Sequence, residues 1–217
     1  VDLVQWTLFP EQMLDYRKDI QILDGKRWPT VLTKADFQRV TGAPDFPSYL
    51  AGSVKGDKLD YFCNNMVAYT LRGVAVKLDV LWRFEAPAGT GDTHFAVYRG
   101  TKSRVEVRQG KVENFRPELY VVPASAAAKA ELAAALKAKV DSLQAQWPGV
   151  SVEDAGKEFK FSIPDKYRVG HEAHFGQVAT EYFRYLKDPK TLPAWEKPFM
   201  LAKYYVSTKG TEIGHKK

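Results

Sequence analysis

Residues 93–109 read THFAVYRGTKSRVEVRQ, and this stretch decides the fold. Two segments, Thr93–Tyr98 and Ser103–Gln109, carry β-branched and aromatic residues that are typical of strands. Gly100-Thr101-Lys102 separates them as a turn. In the second segment, Val105, Val107 and Gln109 share one face and Arg104, Glu106 and Arg108 the other. Two strands joined by so short a turn are predicted to pair in antiparallel fashion.

Further strands are predicted on both sides of this hairpin. They are Leu59–Asn64, Met66–Arg72, Val74–Glu85, Leu119–Val122 and Phe159–Ile163. Nearer the start, Asp19–Leu23 is predicted to form a short strand that ends in a turn at Asp24-Gly25, because Asp-Gly is a strong turn signal.

Apolar residues at helical spacing predict helices between and after the strands. These helices are residues 1–9, Lys34–Val40, Ala124–Trp147, His171–Leu186 and Ala194–Thr208, the last with Gly210 beyond its end. The predicted fold is therefore α+β, with an open, mostly antiparallel β-sheet and helices packed on one face.

Composition excludes several classes of protein. The chain has 217 residues, of which 45% are apolar, so it is long enough to form a globular core. Cys63 is the only cysteine, which rules out an internal disulfide and a cysteine-rich zinc site. The net charge of +6 is spread along the chain. We therefore expect neither nucleic acid nor a membrane as a partner.

Several short motifs give the chain a resemblance to a known family. They are Asp2-Leu3-Val4-Gln5-Trp6, Cys63-Asn64, Trp82-Arg83-Phe84-Glu85-Ala86-Pro87, Gly91-Asp92-Thr93-His94, Arg99-Gly100-Thr101-Lys102, His171-Glu172-Ala173-His174-Phe175 and Met200-Leu201-Ala202-Lys203. In this order they resemble the C-terminal domain of the glucose-fructose oxidoreductase / inositol dehydrogenase (Gfo/Idh/MocA) family. More narrowly, they resemble the "putative oxidoreductase C-terminal domain" of some bacterial members.

The resemblance implies a two-part protein. In such proteins an N-terminal Rossmann domain binds NAD or NADP, and the C-terminal domain closes the substrate pocket and forms oligomer contacts. This chain has no G-x-G-x-x-G after a strand, so we expect it to bind no cofactor itself. Its opening helix also lacks a capping residue, which favours a piece of a longer protein.

The resemblance thus predicts that residues 1–217 are a single C-terminal substrate and oligomerisation domain whose Rossmann domain is absent. The expected partners are that missing domain, further copies of the chain joined through the sheet, and a sugar or polyol. The expected compartment is the cytoplasm, with the periplasm as the alternative.

The first candidate site lies on the opening helix. The family's acid/base histidine usually sits three residues before an aspartate, and Asp2 matches that aspartate. The resemblance implies that the histidine lies before Val1 and that Asp2 orients it or contacts substrate, together with Trp6 one turn further. The alternative is that Asp2 is an ordinary helix acid.

Two further pairs are substrate-binding candidates. Asp92 and His94 are placed to bind sugar-like hydroxyls or a neighbouring subunit, or else to serve the turn and the polar face of a strand. His171 and His174 either face a substrate cleft or interface, or are structural residues at a helix start. Their spacing is i, i+3 instead of the i, i+4 of a zinc-protease helix, so no metal site is predicted.

Four aromatic residues raise a separate question. Trp82, Phe84, Tyr98 and Tyr120 either form a platform for a sugar ring or belong to the sheet core or an oligomer interface. Two hypotheses for function remain open at this point. One is the substrate-binding half of an NAD(P)-dependent oxidoreductase; the other is a non-enzymatic sugar-binding or assembly module.

Overall fold

A computed structural model describes residues 1–216 of the chain. The chain forms two compact units, the first made of Val1–Glu85 with the chain from Phe183 onward, and the second of Ala86–Tyr182. The predicted α+β class with open antiparallel sheets is confirmed. The strands are divided between two sheets, however, and not joined in the single sheet that the sequence suggested.

The first unit contains a four-stranded sheet. Its strands are β1 (Ile20–Thr33), β2 (Val54–Lys55), β3 (Lys58–Leu71) and β4 (Val74–Val80). β3 pairs with β1 along its length, with β2 at its start and with β4 over its second half, always antiparallel. The helices of this unit are α1 (Asp2–Leu8), α2 (Lys34–Thr41) and α5 (Glu196–His215), and short 3-10 turns lie at Ser48–Ser53 and Pro189–Thr191.

The core of the first unit lies between the sheet and the helices α1 and α5. Tyr69 and Leu71 of β3 meet Phe199, Ala202 and Val206 of α5 there, and each of these side chains is buried. Val4 from α1, Leu14 and Ile20 complete the cluster. The packing of α1 on this core fixes the position of the candidate site described below.

The second unit contains a five-stranded antiparallel sheet in the order β5-β6-β7-β9-β8. Its elements are β5 (His94–Arg99), β6 (Ser103–Gln109), β7 (Glu118–Pro123), α3 (Lys129–Leu143), β8 (Ser151–Asp154) and β9 (Phe159–Ser162), with a 3-10 turn at Asp165–Tyr167. Leu132, Leu136 and Val140 of α3 pack against the face that carries Val105 and Val121. The predicted division of β6 into an apolar and a charged face is thus correct.

The predicted turn at Asp24-Gly25 is wrong, because β1 continues through it. Gly25 serves close packing instead: a side chain there would collide with the carbonyl oxygen of Gly210. Gly210 in turn does not end α5 but lies inside it. A Cβ atom at Gly210 would lie only 3.0 Å from the Cγ2 atom of Val67. Both glycines are present because a helix and a strand approach each other closely here.

Two strand boundaries also differ from the prediction. The segments 59–64 and 66–72 form one continuous strand, β3, and β4 ends at Val80. Trp82 and Phe84 therefore lie in the loop that follows β4 and not in a strand. Phe84 has a backbone φ of 75°, in the left-handed region that a regular strand does not use.

Two surfaces of the described chain differ in character. The face of the first sheet away from α5 is polar, with ion pairs between Lys26 and Asp24 and between Lys77 and Asp79. By contrast, α4 (His171–Lys187) exposes Phe175 by 62% and Val178 by 66%. Among residues 1–216, no helix has both the length and the apolar character needed to cross a bilayer.

Candidate functional site

The candidate site is built on α1. Val4 and Leu8 of this helix pack on the core of the first unit, together with the N-cap residue Val1, at helical spacing. Gln5 belongs to the same stripe, next to Val4, so its side chain enters the core: only 1% of the residue is exposed. An amide therefore occupies a position at which the helix pattern otherwise places an aliphatic side chain.

The Gln5 amide has no hydrogen-bond partner within the described residues. Both its nitrogen and its oxygen are buried and unpaired, and so is the hydroxyl of Tyr69 on β3, a residue that is 1% exposed. A buried polar group without a partner costs roughly 1–3 kcal/mol. Such a cost is rare in native cores and is most often tolerated at functional sites.

A charged pair lies beside these buried groups. The Nζ atom of Lys203 on α5 donates to the carboxylate of Asp2 over 2.6 Å. This hydrogen bond to Asp2 raises the pKa of Lys203, so the ammonium form persists. Burial, and then the negative charge of Asp2, raises the pKa of Tyr69 well above its usual range, so the phenol keeps its proton. Two donors and one carboxylate thus lie where α1 and α5 pack on the first sheet.

Trp6 adds an apolar surface to this arrangement. It lies one helical turn from Asp2, on the same side of α1, and is 54% exposed. An acceptor, an ammonium donor and an exposed indole are the groups that bind a small polyhydroxylated molecule: hydroxyls bond to the charged groups and C–H bonds contact the ring. We define the α1 site as Asp2, Gln5, Trp6, Tyr69 and Lys203.

The other predicted site residues lie in or at the edge of the second unit. Asp92 is an exposed loop residue whose backbone oxygen accepts a hydrogen bond of 3.0 Å from the Gln109 side chain. His94 is the exposed first residue of β5. His171 and His174 are exposed at the start of α4, and the His171 ring lies 4.8 Å from that of Phe175. Within residues 1–216, no three His, Cys, Asp or Glu side chains are grouped to hold a metal ion.

The four predicted platform aromatics belong to different units, and the two in the second unit lie on opposite faces of its sheet. Trp82 and Phe84 lie 5.7 Å apart in the first unit, where Tyr61 joins them. Tyr98 pairs with Val105 and so faces the side that α3 covers. Tyr120 lies on the opposite face of that sheet, under the guanidinium of Arg108 at 4.1 Å.

Sequence reasoning missed two members of the α1 site, Tyr69 and Lys203. Tyr69 reads as an ordinary aromatic residue of a strand, and Lys203 lies 201 residues from Asp2 along the chain. Neither periodicity nor spacing relates positions so far apart. A polar residue within an apolar helical stripe, as at Gln5, is the one local sign that this part of the core is unusual.

Comparisons with known proteins identify the family of the chain. A model of the family described as "Putative oxidoreductase C terminal domain" matches residues 1–215, so the chain belongs to that family. This agrees with the resemblance to Gfo/Idh/MocA proteins.

A crystal structure of a "putative oxidoreductase" from Parabacteroides merdae ATCC 43184 is 43% identical, with a TM-score of 0.93. The match covers 99% of this chain and 49% of that one, so the chain spans about half the length of its structural relative. No curated protein matches the chain.

Proposed function

We propose that this chain is the substrate-binding half of an NAD(P)-dependent oxidoreductase that acts on a sugar or polyol. The observation that carries the proposal is the α1 site. It combines the Asp2–Lys203 pair with an exposed indole and with buried polar groups that nothing in the described chain satisfies. Membership of an oxidoreductase C-terminal domain family, and a relative twice as long, support a second half that contributes the remaining chemistry.

In this proposal the chain's residues bind and orient the substrate. The Asp2 carboxylate accepts hydrogen bonds from substrate hydroxyls, and the Lys203 ammonium donates to a hydroxyl or carbonyl oxygen. Trp6 packs against the carbon face of the substrate and excludes water from it. Asp2 also remains placed to orient a histidine three residues before it, as the family resemblance implies, which makes Asp2 a positioning residue.

The nicotinamide cofactor would supply hydride transfer, and the residues of this chain do not fit it. A dinucleotide cradle needs a parallel βαβ unit with a glycine-rich turn, whereas every strand pairing in residues 1–216 is antiparallel. We therefore assign the cofactor to the other half of the protein and derive no step through it.

Assembly of several copies forms part of the proposal, as the family resemblance implies. The predicted contact through the open face of the first sheet would bury the charges of Lys77 and Asp79, which costs desolvation energy. The exposed Phe175 and Val178 of α4 support that helix as the contact instead. Analytical ultracentrifugation of the wild type and of the Val178→Glu variant tests this by measuring the oligomeric state of each. If the copies meet through α4, the oligomer of the variant should dissociate.

The experiment that tests the function uses the full-length protein, NAD⁺ or NADP⁺, and a panel of sugars and polyols. We expect reduction of the cofactor with at least one of them. Lys203→Met should raise KM for that substrate without changing dinucleotide affinity. Lys209→Met is the matched control, because Lys209 is in the same helix and forms an ion pair with the exposed Glu212 at 2.7 Å. Absence of turnover over the whole panel, or equal KM values for both variants, would contradict the proposal.

A further inference from the structure

An aromatic surface lies near the start of β3, whereas Tyr69 of the α1 site lies near the end of that strand. Tyr61 of β3 and Trp82 of the following loop pack with ring centroids 5.4 Å apart, and Trp82 and Phe84 with centroids 5.7 Å apart. We call Tyr61, Trp82 and Phe84 the aromatic corner. Tyr61 lies eight residues before Tyr69 on the same strand, which separates the two sites by about 25 Å.

The aromatic corner remains accessible in the described chain. Tyr61 is 49% exposed and Trp82 is 39% exposed, and both contacts are edge-to-face, with interplanar angles of 68° and 88°. Large aromatic side chains that keep this much surface in water forgo the free energy that burial would provide. A cluster of them on one surface therefore marks a contact with something outside the chain.

Hydrogen bonds hold Trp82 in place through its main chain. Its N–H donates to the Asn64 side-chain oxygen over 2.7 Å, and its carbonyl oxygen accepts from the Thr30 hydroxyl and from the Cys63 thiol. Asn64 is itself buried and donates to Thr30. An exposed ring on so fixed a backbone loses little conformational entropy when a ligand stacks on it.

The border of the aromatic corner is charged and not aliphatic. The Arg39 guanidinium lies 5.1 Å from the centre of the Phe84 ring and forms ion pairs with Glu85 at 2.8 Å and Asp36 at 3.3 Å. Asp36 is already used by the helix cap, where its carboxylate accepts from the N–H and hydroxyl of Thr33. Rings bordered by the guanidinium of Arg39 and the carboxylate of Glu85 match a sugar unit, whose ring C–H bonds face outward and whose hydroxyls project at its edge.

We propose that the aromatic corner is a saccharide-binding surface, separate from the α1 site, that stacks a sugar ring of an oligo- or polysaccharide. Tyr61 and Trp82 contact the ring, while Arg39 and Glu85 bond to hydroxyls at its edge. Because about 25 Å separates it from the α1 site, it binds a ligand longer than one sugar unit or one that does not reach that site. The surface lies within the first unit and needs no cofactor.

The test measures binding of the 217-residue chain to soluble β-glucan, xylan, mannan and pectin by affinity electrophoresis and calorimetry. We expect binding to at least one, weakened about tenfold in Tyr61→Ala and in Trp82→Ala and retained in Tyr61→Phe. Tyr49→Ala is the matched control, because Tyr49 is an 82% exposed aromatic residue of the same unit and lies outside the corner.

Each result decides the proposal. Absence of binding to all four polysaccharides overturns it, and so does an equal loss in Tyr49→Ala or full binding by Tyr61→Ala. If Trp82→Ala melts early, Tyr61→Ala and Tyr61→Phe decide alone. Because the assay contains no cofactor and measures no turnover, its failure leaves the proposed oxidoreductase function standing, and failure of that function leaves this binding surface standing.

Discussion

Replacing Gln5 with methionine should make the 217-residue chain more stable. Glutamine and methionine have similar length and flexibility, so the substitution keeps the volume of the side chain while removing its polar atoms. In the wild type, both amide atoms of Gln5 are buried without a partner in the described chain. Most substitutions of a 1% exposed residue destabilise a protein, so a gain in stability is a distinctive outcome.

The expected magnitude follows from the cost of the unpaired amide. Leaving a buried polar group unsatisfied costs roughly 1–3 kcal/mol, and methionine removes that cost. For a chain of this length, 1 kcal/mol corresponds to about 3 °C in melting temperature, so we expect a rise of about 3–9 °C. Tyr69→Phe should give a gain of the same sign, because it removes a buried hydroxyl that also has no partner among residues 1–216.

Urea unfolding followed by circular dichroism, together with calorimetry, measures these changes. Gln38→Met is the control, because Gln38 lies on the exposed surface of α2 in the same unit, and its substitution should change stability by less than about 0.5 kcal/mol. The double variant of Gln5 and Tyr69 should show additive gains if the two groups do not bond to each other. A loss of stability in Gln5→Met would refute the reasoning, since it would mean that the amide is hydrogen-bonded. In the full-length protein the gain should be smaller if the other half supplies partners to the amide.

Three further predictions concern other parts of the structure. The proposed function predicts that Asp2→Asn lowers kcat/KM of the full-length protein about tenfold or more. The melting temperature should stay within about 2 °C, because a partly exposed ion pair adds little to stability. Steady-state kinetics and thermal melts check this, and unchanged kinetics would show that Asp2 takes no part in turnover. Gly25→Ala should lower the free energy of unfolding, measured in urea, by about 1–3 kcal/mol or more, because its Cβ would meet the backbone of α5. Gly52→Ala is the control and should cost far less, because there is open space around Gly52. Equal losses in the two variants would contradict this account of the packing. Burial alone would raise the pKa of Glu106, but hydrogen bonds from Arg104 and Arg108 outweigh it and lower that pKa. The ionised form of Glu106 therefore stabilises the fold above about pH 4, and this contribution is lost as the pH falls further. Glu106→Gln should therefore flatten the acid limb of the stability profile, and an unchanged slope would contradict this role.

Local patterns predicted much of the fold. Ser103–Gln109 is a strand with the predicted bounds and the predicted faces, because its alternation is strict and one of its faces is covered by α3. The helix at Lys34 also begins as predicted, where Thr33 and Asp36 form a reciprocal capping box. Where local preference and tertiary packing agree, the sequence alone is sufficient to predict the type and the bounds of an element.

Tertiary contacts overrode local preference at the positions that were wrongly predicted. Gly25 and Gly210 read as a turn and a helix stop, yet both lie inside regular elements because a side chain at Gly25 would collide with the Gly210 backbone. Asp2 and Trp6 of the α1 site are candidates from the sequence alone, because a family motif marks the helix, and their role stays a prediction. Lys203 and Tyr69 were not assigned to it, since only the folded chain brings α5 and β3 to α1.

The contact between Gly25 and Gly210 also affects the geometry of the α1 site. Gly210 lies seven residues after Lys203, which is about two helical turns, so both point to nearly the same side of α5 and are separated by about 10 Å along its axis. Contact of Gly210 with Gly25 and Val67 therefore fixes both the rotation and the height of α5 on the sheet. Because the helix is rigid over two turns, that contact also sets the position from which Lys203 reaches Asp2. A side chain at Gly25 would push α5 away from β1 and lengthen the 2.6 Å hydrogen bond between Lys203 and Asp2. If the full-length protein has the proposed activity, Gly25→Ala should raise KM for its substrate, as Lys203→Met should, although Gly25 lies outside the α1 site.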